Sequence, residues 1–155
     1  MRTKKFEPKN FRMKRIAVVG PIPRDHIVTH QGDLIQKWGC VTHPVIALSV
    51  MTGGKIDIVP VSHLRKVDLD NVKEVFKGYK GLILNHLSVK NDQGDIISLR
   101  FLDMNNRLER QTGFMDPFVP DDFARLIDCK VFVFIPISDY EVSLDALKFL
   151  KKKSR

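Results

Sequence analysis

Asp25 stands a few residues beyond the apolar run Arg15-Ile-Ala-Val-Val-Gly20, and that placement is the first pointer to chemistry in the chain. A carboxylate just past the carboxyl end of a buried strand can accept hydrogen bonds from ligand hydroxyls. The same position suits an aspartate that only shapes a turn, and position alone does not separate the two. Gly39, in Trp38-Gly39-Cys40-Val41-Thr42-His43, is a second candidate, because a residue without Cβ lets backbone approach a ligand closely. Cys40 stands before an expected helix start that would lower a thiol pKa, but Pro44 removes one amide donor and no oriented base accompanies it. Cys40-x-x-His43 and His26-x-x-x-His30 together offer four soft donors. They flank a hairpin without the knuckle turn of a zinc module, so exposed histidines and a buried thiol are the simpler reading. Gly53-Gly54-Lys55 lacks both the earlier glycine and the following hydroxyl of a phosphate-binding loop, and Gly20-Pro-Ile-Pro-Arg-Asp25 is no dinucleotide fingerprint. No residue is assigned a catalytic or metal-ligating role.

These residues need elements to hold them. Arg15–Gly20, dense in β-branched residues, reads as a strand buried on both faces. His26–His30 and Leu34–Trp38 flank Gln31-Gly32-Asp33 as a hairpin with one wet face. His43-Pro44 opens a helix through Met51 that is apolar over most of its circumference and therefore buried, and Thr52-Gly53-Gly54 ends it. Ile56–Val61 is a short strand, and Asp68 or Asp70 caps a helix with Leu69, Val72, Val75 and Phe76 on one stripe. From Gly81 the rhythm changes to a meander of Gly81–Val89, Ile96–Leu102 and Leu108–Thr112. After a proline-rich loop, Asp121 caps a short helix, Val131–Ile137 is a buried strand, and Ser143 caps a last helix with Leu144, Leu147 and Leu150 inward. The fold class is α/β: a parallel sheet with flanking helices and, from residues 26–38 and 82–112, a small antiparallel sheet beside the carboxyl ends of the parallel strands, where ligands bind in open sheets.

At 155 residues and 43% hydrophobic content the chain can bury a real core, which excludes global disorder. The net charge of +8 is unevenly spread. Residues 1–15 hold seven bases and one acid, residues 148–155 five bases and none, and the stretch between holds 14 bases against 17 acids. A basic tail (1–14) and a basic end (151–155) thus bracket a slightly acidic body (15–150), and nucleic-acid binding through those ends ranks last among the readings. Two cysteines make no disulfide framework, and no apolar run reaches signal-peptide or membrane length, which points to a cytoplasmic setting.

The order of elements from Arg15 to about Leu150 resembles the amino-terminal half of the ribokinase-like, or PfkB-type, carbohydrate kinases. The resemblance rests on the G-x-x-x-x-D pattern Gly20-Pro-Ile-Pro-Arg-Asp25, the hairpin after it, a glycine turn opening a buried helix, further lid strands, and the strand and helix of Val131 to Leu150. It implies that Asp25 binds substrate hydroxyls and that Gly39 and Cys40 form the substrate turn. Cys40 replaces the second of the family's paired glycines, and Pro44 stands at or near the usual asparagine. Arg100 and Asn106 are the lid residues chosen to close over the acceptor. The family's carboxyl-terminal half carries a G-A-G-D motif whose aspartate is the base, together with the nucleotide site, and nothing similar occurs in these residues. The implied protein is a sugar kinase fragment, inactive alone, with ATP and Mg2+ expected only for the complete kinase and none bound by this chain alone. A sugar or nucleoside-like small molecule is the implied partner, and the lid strands of such kinases often pair two subunits. Half a parallel sheet would leave an apolar edge at Val131–Ile137 and favour association. A stand-alone, non-catalytic α/β module that pairs through its lid sheet is the alternative.

Overall fold

A computed structural model describes residues 15–153, so the basic tail 1–14 and residues 154–155 lie outside the described residues. The organising element is β1 (Arg15–Val19), which pairs in parallel with β4 (Asp57–Leu64) on one side and β8 (Cys129–Phe134) on the other. β5 (Leu87–Val89) adds to β4 and completes a four-stranded parallel sheet in the order β5-β4-β1-β8.

Alternation along the central strands feeds two cores. Val18, Ile58 and Leu64 pack with α1 (Thr42–Thr52) and α2 (Lys66–Val75) through Val45, Val72 and Phe76. Ala17, Val19, Val59 and Val61 face α3 (Pro120–Phe123) and α4 (Leu144–Lys153) through Phe123, Ala146 and Phe149. Both faces are covered, which is why Ile16–Val19 of β1 and Ile58–Val61 of β4 read as apolar runs. Gly20 ends β1 where a Cβ would come within 2.3 Å of the Ile135 carbonyl oxygen, so only glycine lets the two chain segments cross there.

The second sheet has the order β3-β2-β6-β7, built from two hairpins, β2 (Arg24–Val28) with β3 (Leu34–Trp38) and β6 (Ile96–Phe101) with β7 (Arg107–Gly113). β2 and β6 join them in parallel, with Asp25 opposite Ile97. The lid is thus mixed, not antiparallel throughout, and it takes less of the chain than expected. Residues 82–89 leave it for the main sheet, where Leu82 bridges Ile58 and β5 pairs with β4. Gly81-Leu-Ile-Leu carries the continuous apolar signature of a buried parallel segment, whereas β6 alternates.

Several sequence expectations about helix ends and faces are corrected. α2 starts one turn early, with Arg65 at its N-cap, and Asp68 is not a cap but a buried carboxylate paired with Arg65 (2.9 Å) and Arg24. α3 begins after Val119, and Asp122 rather than Asp121 turns back to accept the Val119 amide at 2.7 Å. Ser143 does cap α4, accepting from the Ala146 amide, but the buried side is Ala146, with Phe149 and Leu150 half-buried, while Leu144 and Leu147 are 66% and 43% exposed. α1 is not buried all round, since Val50 and Met51 are exposed.

One buried pair ties β4 to α3. His63 is fully enclosed, with Nε2 3.0 Å from Asp122 Oδ1 and Nδ1 2.8 Å from the Asp116 carbonyl. Burial pushes the Asp122 carboxyl upward, but the His63 and Val119 hydrogen bonds and the nearby His63 and Lys90 outweigh it and hold it below the ordinary value. A carboxylate depressed in the fold takes up its proton more readily when unfolded, so its contribution exists above the unfolded value and disappears as pH falls through the folded one. Asp122→Asn should therefore cost about 1–3 kcal/mol near pH 7, with the difference from the parent shrinking on acidification below about pH 4. Urea denaturation across that range checks this, and a difference that stays constant into acid contradicts it.

Candidate functional site

The loop from β1 into the lid, Gly20-Pro21-Ile22-Pro23, and the loop from the lid into α1, Gly39-Cys40-Val41, lie side by side at the carboxyl end of β1. The amides of Gly39 and Val41 donate to the carbonyls of Pro23 (3.1 Å) and Pro21 (3.2 Å). Prolines carry no N–H of their own, so they supply acceptors here without leaving buried donors to satisfy. Thr42 Oγ1 locks the second loop by donating to the carbonyls of Trp38 and Gly39.

Asp25 projects between these loops. A Cβ on Gly39 would lie 2.4 Å from Asp25 Oδ2, so the carboxylate is seated directly on glycine backbone. Among the described residues no hydrogen bond or ion pair occupies it. Half-buried, it is pushed up to about 6, by loss of solvent first and by Glu109 second, against the opposing pull of His43 and Arg107. A carboxylate that has lost water and gained no protein partner is ready to receive donors from a ligand.

Cys40 adopts φ of 49°, the left-handed region that favours glycine. Its thiol donates to the Ile135 carbonyl at 3.4 Å and is raised to about 11 by burial and by the carboxylates of Glu141, Asp95 and Asp25. The lowering expected from the helix start is reversed, which favours the neutral thiol. The four soft donors do not assemble: His26 and His30 are exposed on the hairpin, and among the described residues no cluster of His, Cys, Asp or Glu could hold a metal.

Arg100 and Asn106 are not brought to Asp25. Strand alternation sets Arg100 on the face opposite Ile97, hence away from Asp25, and Asn106 turns its side chain onto Asp103 at 2.7 Å in the β6–β7 turn. The lid residues on the Asp25 face include Ile97 and Leu99 of β6 and their cross-strand neighbours Gln111 and Glu109 of β7.

Two buried acids near Asp25 escaped the sequence reading. Asp95, 3% exposed, accepts from Gln111 Nε2 (2.8 Å), the Met115 amide (3.0 Å) and the Tyr140 hydroxyl (3.3 Å) through one oxygen, while its other oxygen is buried without a partner. Glu141, fully buried, accepts from the amides of Ile137 and Ser138 and from the Ser138 hydroxyl, folding the loop after β8 back on itself. Burial raises both carboxyls. Nothing in local pattern marks either as buried.

No family model matches the chain, and no curated protein matches it in sequence. Solved structures do. A pyrophosphate-dependent kinase in the ribokinase family, complexed with a pyrophosphate analogue and myo-inositol, matches at 17% identity with a TM-score of 0.71, over 89% of this chain and 46% of that one. The 2-dehydro-3-deoxygluconokinase of Thermotoga maritima matches at 16% identity and 0.62, over 90% and 47%. The fructokinase of Halothermothrix orenii matches at 15% identity and 0.59, over 91% and 55%. The chain therefore has a ribokinase-like fold and spans about half the length of these structures. No described helix is long and apolar enough to cross a membrane.

The contact between Gly39 and Asp25 gives a direct test. Gly39→Ala should destabilise the parent protein but cost less in an Asp25→Ala background, where the obstructing carboxylate is gone. Denaturation of the four proteins should yield a coupling above about 0.5 kcal/mol; strictly additive losses would contradict the contact.

Proposed function

We propose that these residues are the acceptor-binding half and lid of a carbohydrate kinase of the PfkB type, with Asp25, Gly39 and Cys40 forming the substrate turn. The observation that carries the reading is the Asp25 carboxylate, half-buried, unpartnered among the described residues and seated on Gly39 at the carboxyl end of β1. Above about pH 6 it is an anion with part of its solvent removed and no protein donor among the described residues. Sugar or polyol hydroxyls donating to it would supply what burial removed. The backbone at Gly39 allows the ring to lie close, and the lid sheet on which Asp25 itself stands would exclude water as it packs down. The neighbour bound to myo-inositol supports a small polyhydroxylated ligand.

Phosphoryl transfer needs more than an acceptor site. It depends on placing the phosphates and neutralising their charge. The residues present do not fit Mg·ATP: the loop after β1 offers proline carbonyls where a phosphate would need amide donors, and the described acids make no cation site. Donor binding and proton removal from the acceptor are thus assigned to the half of the kinase not found in these residues. One neighbour is described as pyrophosphate-dependent, so the donor class is itself open to assay alongside ATP. A non-catalytic binding module draws on the other side of the same facts, since two hydrophobic clusters pack within the described residues.

Calorimetric titration with a panel of hexoses, pentoses, polyols and nucleosides should reveal a ligand whose affinity falls about tenfold or more in Asp25→Ala. Phosphorylation from Mg·ATP should be absent with these 155 residues alone and appear only in a longer chain that carries a donor site. Turnover by the short chain, or binding indifferent to Asp25, would contradict the proposal; binding with no turnover in any longer chain would favour the non-catalytic module.

A further inference from the structure

Arg24 and Asp25 are neighbours at the base of β2, and strand alternation turns their side chains to opposite faces of the lid. Asp25 meets the Gly39 backbone, while Arg24 reaches the other way, to the helix beside the parallel sheet. Its guanidinium lies 5.4 Å from the centre of the ring of Trp38, its cross-strand partner, and forms an ion pair with Asp68 in the first turn of α2. Trp38 packs in turn against the core that holds Val18, Ile58 and Val72.

The surroundings of Asp68 suit it to hold that arginine. It is 3% exposed, it stands at the N-terminal end of a ten-residue helix, where the backbone favours negative charge, and its second oxygen accepts from Arg65 Nε at 2.9 Å. Among the described residues, Arg24–Asp68 is the only ion pair between the lid strands and the parallel layer. The β6–β7 side of the lid is tied down separately, through Gln111, Asp95 and Tyr140.

We propose that Asp68, acting through Arg24, anchors the base of the lid and so keeps the Asp25 carboxylate seated on Gly39; Arg24 and Asp68 are positioning residues. A buried ion pair gains little net stability once desolvation is counted, but it holds its partners in one register. One strand carries both groups, so displacement of Arg24 from Asp68 carries Asp25 with it. The charges that act on Asp25 are those of Glu109, His43 and Arg107, and Arg24 is not among them. Its influence is therefore one of placement. What this means for acceptor binding rests on the proposed function; where Asp25 is held does not.

Carbon-13 NMR titration of Asp25 in the ligand-free 155-residue chain reads that placement. Arg24→Met keeps an apolar stem over Trp38 and removes the charge. With the base of the lid detached, water reaches Asp25, and its midpoint should fall from about 6 by about one pH unit or more, toward the ordinary aspartate range. Loss of a nearby cation alone would move it upward. A merely structural residue would lower stability and leave it in place. Arg65→Met weakens the hold on the same aspartate without touching the lid, so it should lower the urea midpoint while Asp25 still titrates near 6. An unchanged or raised Asp25 midpoint in folded Arg24→Met would overturn the proposal, as would an equal fall in Arg65→Met. In the parent protein, the Arg24 and Gly39 amides at the base should exchange with deuterium at least about tenfold more slowly than those of Thr29 and Leu102 at the hairpin ends. Equal rates would overturn it even if Arg24→Met fails to fold. If these results hold and no sugar or polyol binds, the acceptor reading falls and the anchor stands.

Discussion

The close seat of the Asp25 carboxylate on the Gly39 backbone is the contact around which the rest of the site is arranged. It requires the chain to leave β1, turn through two prolines, enter the lid, and come back from the lid within hydrogen-bonding distance of its own departure point. Neither loop could hold that geometry alone. The amides of one satisfy the carbonyls of the other, and the buried sheet below fixes where both begin. Any side chain at position 39 would have to displace the Asp25 carboxylate.

Electrostatics around this seat are costly in the absence of a ligand. Asp25, Asp95 and Glu141 all carry carboxyls raised by burial, and the Cys40 thiol feels all three. Glu141 is answered by protein donors on both oxygens and Asp95 on one, and together they tie β7, the loop at Met115 and the loop after β8 into one surround. Asp25 is the acid left unanswered. Folded proteins tolerate such a group where a partner arrives from outside, and that contrast between neighbouring carboxylates argues for binding better than any single residue does.

Much of the architecture could be read from residue order. The β-branched run of β1, the Gly32 hairpin, the Thr52-Gly53-Gly54 stop and the Ser143 cap are local signals, and each lies where its pattern indicates. The misreadings share one physical origin, which is that local pattern does not report tertiary partners. Asp68 looks like a cap because caps are short polar residues before apolar stripes, but Arg24 of the lid and Arg65 at the start of its own helix pair with it. Residues 82–89 looked like lid because they are strand-like, and only the neighbouring β4 decides which sheet they join. Asp25 and Gly39 were singled out through position and family resemblance, whereas the surroundings of Asp95 and the facing of Arg100 depend on register across β2, β6 and β7.

Carbon-13 NMR of the Asp25 side-chain carboxyl tests the central claim most directly. In the free protein its titration midpoint should stand near 6, well above that of an exposed aspartate. Addition of a bound sugar or polyol should move the midpoint downward, because hydroxyls that donate to the carboxylate favour its ionised form. A midpoint in the ordinary range, or one that does not move when a ligand binds, would contradict the view that Asp25 is the group held open for the acceptor.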